Sequence, residues 1–198
     1  MRVIAGTYRS RPLRSLRGLD LRPTSDRLRE TLFNVLTAGN PEALAGTVWL
    51  DLYAGTGAVG IEALSRGAGK IYFVESSAEA VELIRSNLRS LGVESGFEIL
   101  RQDAARALTG LAARGIQADV MFLDPPYRME SAYSQTLLRI AGSALLKPEG
   151  IVIAEHQKRF DPGGSFASLH RSRSLQQGDA VLSFYEYRDS EASLRTEI

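Results

Sequence analysis

Cysteine is absent from the 198 residues, which excludes disulfide frameworks, thiolate metal sites and cysteine nucleophiles. Histidine occurs only as His156 and His170, too few for a histidine metal cluster, so no metal is expected. No uncharged apolar stretch approaches the roughly 18 residues needed to span a bilayer. The opening Met1-Arg2-Val3-Ile4-Ala5-Gly6-Thr7-Tyr8-Arg9 meets charge too early for the apolar core of a signal peptide. A cytoplasmic protein is the expectation. Hydrophobic residues make up 44% of the chain and charged residues 24%, which argues against wholesale disorder. The length suits one compact domain with a small appendage.

Lysine is scarce as well, with only Lys70, Lys147 and Lys158 among 24 basic residues. The net charge of +1 hides an asymmetry. Residues 1–30 carry eight arginines against Asp20, Asp26 and Glu30, while the remainder carries 16 basic and 20 acidic groups. An arginine-rich arm ahead of a mildly acidic domain suggests a polyanion held at one end of the molecule.

The pattern along the chain divides it into a basic N-terminal extension (1–23), a main domain (24–188) and a polar tail (189–198) that is expected to fray. Weak alternation near 2–5 and 13–16 reads as a small hairpin. A hydroxyl cap in Thr24-Ser25 then opens a helix with Leu28, Leu32, Val35 and Leu36 at helical spacing, ended by Gly39 and Pro41. From Thr47 onward apolar runs at 48–52, 71–74, 97–100, 120–123 and 151–154 read as buried parallel strands. Amphipathic stretches at 58–65, 78–91, 104–114 and 131–145 lie between them. This alternation predicts a doubly wound α/β sheet with helices on both faces. Segments 166–175 and 181–187, joined through Gly178-Asp179, read as a terminal antiparallel hairpin on the sheet edge.

Gly55, Gly57 and Gly60 spell GxGxxG after a strand and at the opening of a helix. Glycines there permit a tight turn and close approach to a ligand, and the helix N-terminus offers unpaired N–H groups. Glu75, at the end of the next strand, can accept hydrogen bonds from both hydroxyls of a ribose. The motif alone does not separate a dinucleotide from other nucleoside cofactors. Asp51 does: a carboxylate at the end of the first strand repels a pyrophosphate but suits an ammonium group. Asp103, after the third strand, can accept from an adenine amino group, although singly it reads as a helix cap. Three acids after three successive strands match S-adenosylmethionine (SAM).

Asp124-Pro125-Pro126-Tyr127 follows the fourth strand, at the edge where open α/β sheets bind ligands. The plain reading is two prolines ending a strand. The chemical reading is stronger, because an exocyclic amino group on a base is a poor nucleophile while its lone pair is delocalised. Asp124 and the Pro125 carbonyl can accept its two hydrogens and free that lone pair. The prolines fix φ, and Tyr127 can stack on the base, worth about 1–3 kcal/mol.

At these residues the chain resembles the Rossmann-like amino-methyltransferases, whose signature is (D/N/S)PP(Y/F). More narrowly it resembles the RsmD family, which methylates a guanine N2 in 16S rRNA. Arg22-Pro23-Thr24-Ser25-Asp26-Arg27 carries the most family-specific part of the likeness. Further carriers are Asp51 to Gly57, Gly60-Ile61-Glu62-Ala63-Leu64-Ser65-Arg66-Gly67-Ala68, Phe73-Val74-Glu75 and Asp103-Ala104. The resemblance implies a seven-stranded, mostly parallel sheet with a C-terminal antiparallel hairpin. It also implies that Thr24 lies beside the amino-acid end of SAM, that Asp51, Tyr53, Ala54, Gly55, Thr56, Gly57 and Gly60 form the methionine end of the site, that Glu75 and Ser76 hold the ribose, and that Asp103 with Ala104 holds the adenine. Asp124, Pro125, Pro126 and Tyr127 would position the target guanine. Tyr53, Thr56, Ser76 and Gln177 stand where the family often has Phe, Ser, Asn and an aromatic residue.

The arginine arm reads singly as a solvated face. As a group, Arg9, Arg11, Arg14 and Arg22 favour RNA phosphates, joined by Arg27 on the first helix, which can as easily pair with Asp26 or Glu30. The expected partner is 16S rRNA within a partly assembled 30S subunit, met by a monomer without an obligate protein partner. Three rivals stand beside this reading: a DNA adenine-N6 methyltransferase, which shares the DPPY motif; an NAD-dependent oxidoreductase; and a non-catalytic RNA-binding assembly factor. His156, His170 and Trp49 are expected to be structural.

Overall fold

The computed structural model describes residues 1–15 and 25–188. The five apolar runs pair in parallel because an amphipathic helix follows each of the first four and returns the chain to the same edge. The order is α1 (Asp26–Leu36), β1 (Val48–Leu52), α2 (Ala58–Ser65), β2 (Lys70–Val74), α3 (Ala78–Leu91), β3 (Phe97–Leu100), α4 (Ala104–Ala113), β4 (Ala118–Leu123), α5 (Glu130–Ala141) and β5 (Leu146–Gln157). Three antiparallel strands complete the sheet: β6 (Ser165–Phe166), β7 (Leu169–Gln177) and β8 (Ala180–Tyr187). The strand order is β3-β2-β1-β4-β5-β8-β7-β6. Seven strands match the expected sheet, and the two-residue β6 adds an eighth at the edge.

Successive residues on each central strand feed opposite cores. Trp49, Ile71, Phe73, Phe122 and Ile153 pack toward α1, α2 and α3, with Trp49 stacked on Phe33 at 5.4 Å. Leu50, Leu52, Val74, Met121, Leu123 and Val152 pack toward α4 and α5. Helix starts follow side-chain caps, with Ser25 accepting from Leu28 N–H, Ser77 from Ala80 N–H and Asp103 from Arg106 N–H. His156 is buried at the β5–β8 seam, where Nε2 lies 2.9 Å from Ser183 Oγ.

The N-terminal extension differs from the hairpin expected of it. Among the described residues of the extension only Arg2 and Pro12 form a bridge, and the returning segment there lies at 10–13; the expected strand at 13–16 ends outside the described residues. The reason is competition for backbone donors. Ile4 and Ala5 N–H donate to the Glu62 carboxylate at 2.7 and 3.0 Å, and Tyr8 N–H donates to Ser65 Oγ at 3.0 Å. Val3 and Leu13 are buried in the α1–α2–α3 core, so these residues are packed onto the domain. Gly6 passes so close to Ser65 that a Cβ would lie 1.8 Å from its carbonyl oxygen. Glu62 is fully buried and also pairs with Arg66 at 2.8 Å and with the buried Arg29 at 3.8 Å.

Candidate active site

The parallel strands place β1 between β2 and β4, so the chain leaves β1 toward one side and reaches β4 on the other. Ligands of open α/β sheets bind at this switch point, beyond the carboxyl ends of the strands. A cavity of about 330 Å³ lies there, bounded by the loops after β1, β2, β3 and β4 and by α5. That volume is within the range of small-molecule sites.

The loop after β1 doubles back on itself. Tyr53, Gly55 and Gly57 have φ of 65°, 55° and 75°, a conformation that strains a side-chain-bearing residue such as Tyr53. Tyr53 Oη lies 3.0 Å from Thr136 Oγ1 on α5, a tether that holds the strained residue in place. Two carboxylates brace the turn from beneath. Asp51 Oδ2 accepts the Gly60 N–H at 2.9 Å, and Glu75 accepts from Gly55 N–H at 2.9 Å and from Ser77 N–H at 2.8 Å. The clamping of the glycine turn by Glu75 carries no signal in its sequence spacing.

Burial pushes the Asp51 carboxyl up to about 8, with the Glu75 charge adding to the rise and the Gly60 N–H opposing it. Asp124 is also raised well above the carboxylate range, first by burial and then by the charges of Glu155 and Asp51. A site that holds two such acids favours a positively charged occupant, which lowers both proton affinities. Four carboxylates (Asp51, Glu75, Asp103 and Asp124) face the cavity, and among the described residues Arg139 is the one cationic side chain in its lining.

The structure brings together most of the residues singled out in the sequence. Asp51, Tyr53, Ala54, Gly55, Thr56, Glu75, Ser76, Asp103, Ala104 and the whole run Asp124 to Tyr127 line the cavity. Gly57 and Gly60 do not. Gly57 is the N-cap of α2, and at Gly60 a Cβ would lie 2.3 Å from Phe73 Cε1, so that glycine serves the close packing of α2 on β2. Asp103 both caps α4 and faces the cavity. Thr24 and Arg22 lie outside the described residues. Arg9, Arg11, Arg14 and Arg27 are exposed at the surface. Gln135, Thr136 and Arg139 on α5 complete the rim, and the sequence pattern does not single them out. Their one sequence signal is a polar strip on a helix that follows the DPPY motif. Among the described residues no cluster of ligating side chains could hold a metal ion, and no helix is long and apolar enough to cross a membrane.

The family described as "Conserved hypothetical protein 95" matches residues 1–186. The Bacillus subtilis protein YlbH, provisionally named an rRNA methyltransferase, is 34% identical over 188 residues, 95% of this chain and 100% of its own. The Haemophilus influenzae protein named "Ribosomal RNA small subunit methyltransferase D" is 35% identical over 159 residues, 80% of this chain and 79% of its own. The solved structure of a hypothetical protein from Thermus thermophilus matches with a TM-score of 0.79 at 28% identity, covering 94% of this chain and 99% of that one.

Proposed function

The chain belongs to the RsmD family, which carries the description Conserved hypothetical protein 95, and from that premise we propose that it methylates the exocyclic N2 of a guanine in 16S rRNA. It is a SAM-dependent rRNA methyltransferase with a Rossmann-like fold. One observation supports the finer reading most: Asp124-Pro125-Pro126-Tyr127 and the glycine turn line a single cavity.

The cavity fits the cofactor on charge. The four carboxylates and single arginine of its described lining suit a ligand bearing ammonium and sulfonium groups, and they oppose the pyrophosphate of a dinucleotide. Bound there, SAM supplies an electrophilic methyl group. Asp51 takes the ammonium, Gly55 and Thr56 the methionine chain, Glu75 and Ser76 the ribose, and Asp103 with Ala104 the adenine. Thr24 joins the amino-acid end.

Tyr127 stacks on a guanine turned out of its helix, an unstacking that costs a few kcal/mol in a duplex and less in a loop. Asp124 and the Pro125 carbonyl accept the two N2 hydrogens, which localises the nitrogen lone pair and aims it at the methyl group. Proline at 125 and 126 keeps those backbone oxygens in place. Once methylated, N2 sheds a proton, and Asp124, whose carboxyl is raised by burial and by two neighbouring acids, is the acceptor beside it. Arg9, Arg11, Arg14, Arg22 and Arg27 meet RNA phosphates. The substrate is presented by a partly assembled 30S subunit, and the enzyme works as a monomer.

The test is labelled-methyl transfer from SAM to small-subunit particles, to protein-free rRNA and to duplex DNA, followed by mapping of the modified base. The expected product is one N2-methylguanine in 16S rRNA, formed on particles. N6-methyladenine in DNA, or methylation at another rRNA atom, would replace this reading.

A further inference from the structure

Asn87 on α3 is fully buried, and its carboxamide is shared between two segments that are remote from each other in sequence. Oδ1 accepts the Arg14 N–H at 2.8 Å. Nδ2 donates to the carbonyl oxygens of Arg14 at 3.2 Å and Thr56 at 3.1 Å. Both hydrogens of the amide are therefore used, one on each segment. Arg14 belongs to the arginine arm. Thr56 belongs to the glycine turn and lines the cavity.

The other side-chain hydrogen bonds of the arm run elsewhere. Ile4 and Ala5 N–H go to Glu62, Tyr8 N–H to Ser65, and the Arg11 and Arg14 guanidinium groups to Ser90 O and Ser86 Oγ, while Arg2 O and Ala5 O accept from Arg29 and Ser65. Among the described residues, these contacts reach α1, α2 and α3 and stop short of the turn, so Asn87 is the polar link between the arm and the cavity wall.

We propose that Asn87 is a positioning residue that couples occupancy of the methyl-donor site to the ordering of the arginine arm. The inference rests on the reading above, in which the turn holds SAM and the arm meets RNA. Its physical basis is that the amide meets all three partners only when arm and turn hold their places together. A ligand that stiffens the turn leaves less disorder to be lost when the arm docks, and the coupling works equally in reverse. Donor binding thus prepares the arm for RNA before RNA arrives.

The experiment is hydrogen–deuterium exchange of the full chain with and without saturating S-adenosylhomocysteine, a probe that occupies the donor site without turnover. In the wild type, amide exchange across residues 1–15 slows about five-fold or more on binding. Asn87→Ala removes that response. Asn87→Asp keeps an acceptor for the Arg14 N–H but loses the donation to Thr56, and it removes the response too. If neither variant melts cooperatively, the wild-type comparison alone decides. An arm whose exchange ignores the bound probe overturns the coupling while leaving the donor site standing, as does a variant that retains the slowing. A wild type that fails to bind the probe at all overturns the donor-site reading and the coupling with it.

Discussion

Replacing Asp51 by asparagine separates the two consequences of burying that carboxylate. In the ligand-free protein its proton affinity rises from 3.8 to about 8, chiefly through burial. Between these values the folded state holds a proton that the unfolded chain has released. Stability therefore falls as pH rises from about 4 to about 8, and the penalty is constant above that. At 1.36 kcal/mol per unit, the full shift sets a ceiling of about 5–6 kcal/mol on the penalty at pH 9, and of about 4 kcal/mol at pH 7. Asp51→Asn keeps an oxygen to accept the Gly60 N–H and removes the titration. Its stability relative to wild type should rise steadily from pH 5 to about pH 8 by several kcal/mol and then level off. A constant offset of about 1–3 kcal/mol is superimposed where the new amide hydrogens lack partners. On the proposed assignment of Asp51 to the donor's ammonium group, the same change deletes a charge-assisted contact worth about 1.5–3 kcal/mol, so SAM should bind roughly 10- to 150-fold more weakly. Urea unfolding at pH 5, 7 and 9 measures the first effect and calorimetric titration with SAM the second. Stability curves that run parallel for the two proteins, or an unchanged SAM affinity, would refute the reasoning.

Other parts of the molecule give further expectations. Gly60→Ala drives a methyl group into Phe73 and should destabilise the fold by about 1–3 kcal/mol or more, read from chemical denaturation; a neutral change would mean that α2 moves away from β2 without penalty. Neutralising Arg9 and Arg11 together should weaken RNA binding across sequences and reduce the slope of log affinity against log salt by about 1–2, and an unchanged slope would return the arm to a structural role.

The legible part of this protein is the part written in local spacing. Short apolar runs bounded by turn residues, each followed by helical periodicity, make the parallel sheet readable, and strand β1 falls at the expected 48–52. The place of the Asp124 motif is readable because it directly follows an apolar strand, which puts its four residues on the cavity at the carboxyl edge of the sheet. What escapes is made by distant partners. Glu62 looks like an ordinary helical residue, yet it receives backbone N–H groups from positions 58 and 57 residues away. Those contacts draw donors from the extension that a regular hairpin would have used, which explains the single bridge among its described residues. Asn87 gives no signal for the same reason, since its partners stand 73 and 31 residues away. Gly60 falls in with the ligand loop on sequence because the motif cannot distinguish a glycine required by a ligand from one required by Phe73.

The central claim is that Asp124 acts on the target base and leaves the donor to its neighbours. Asp124→Ala is the direct measurement, with SAM affinity and single-turnover methyl transfer to small-subunit particles taken on the same preparation. Transfer should become undetectable while SAM binds within a few-fold of wild type. A variant that still methylates at an appreciable rate contradicts the claim, and so does one whose lost activity is matched by lost SAM binding.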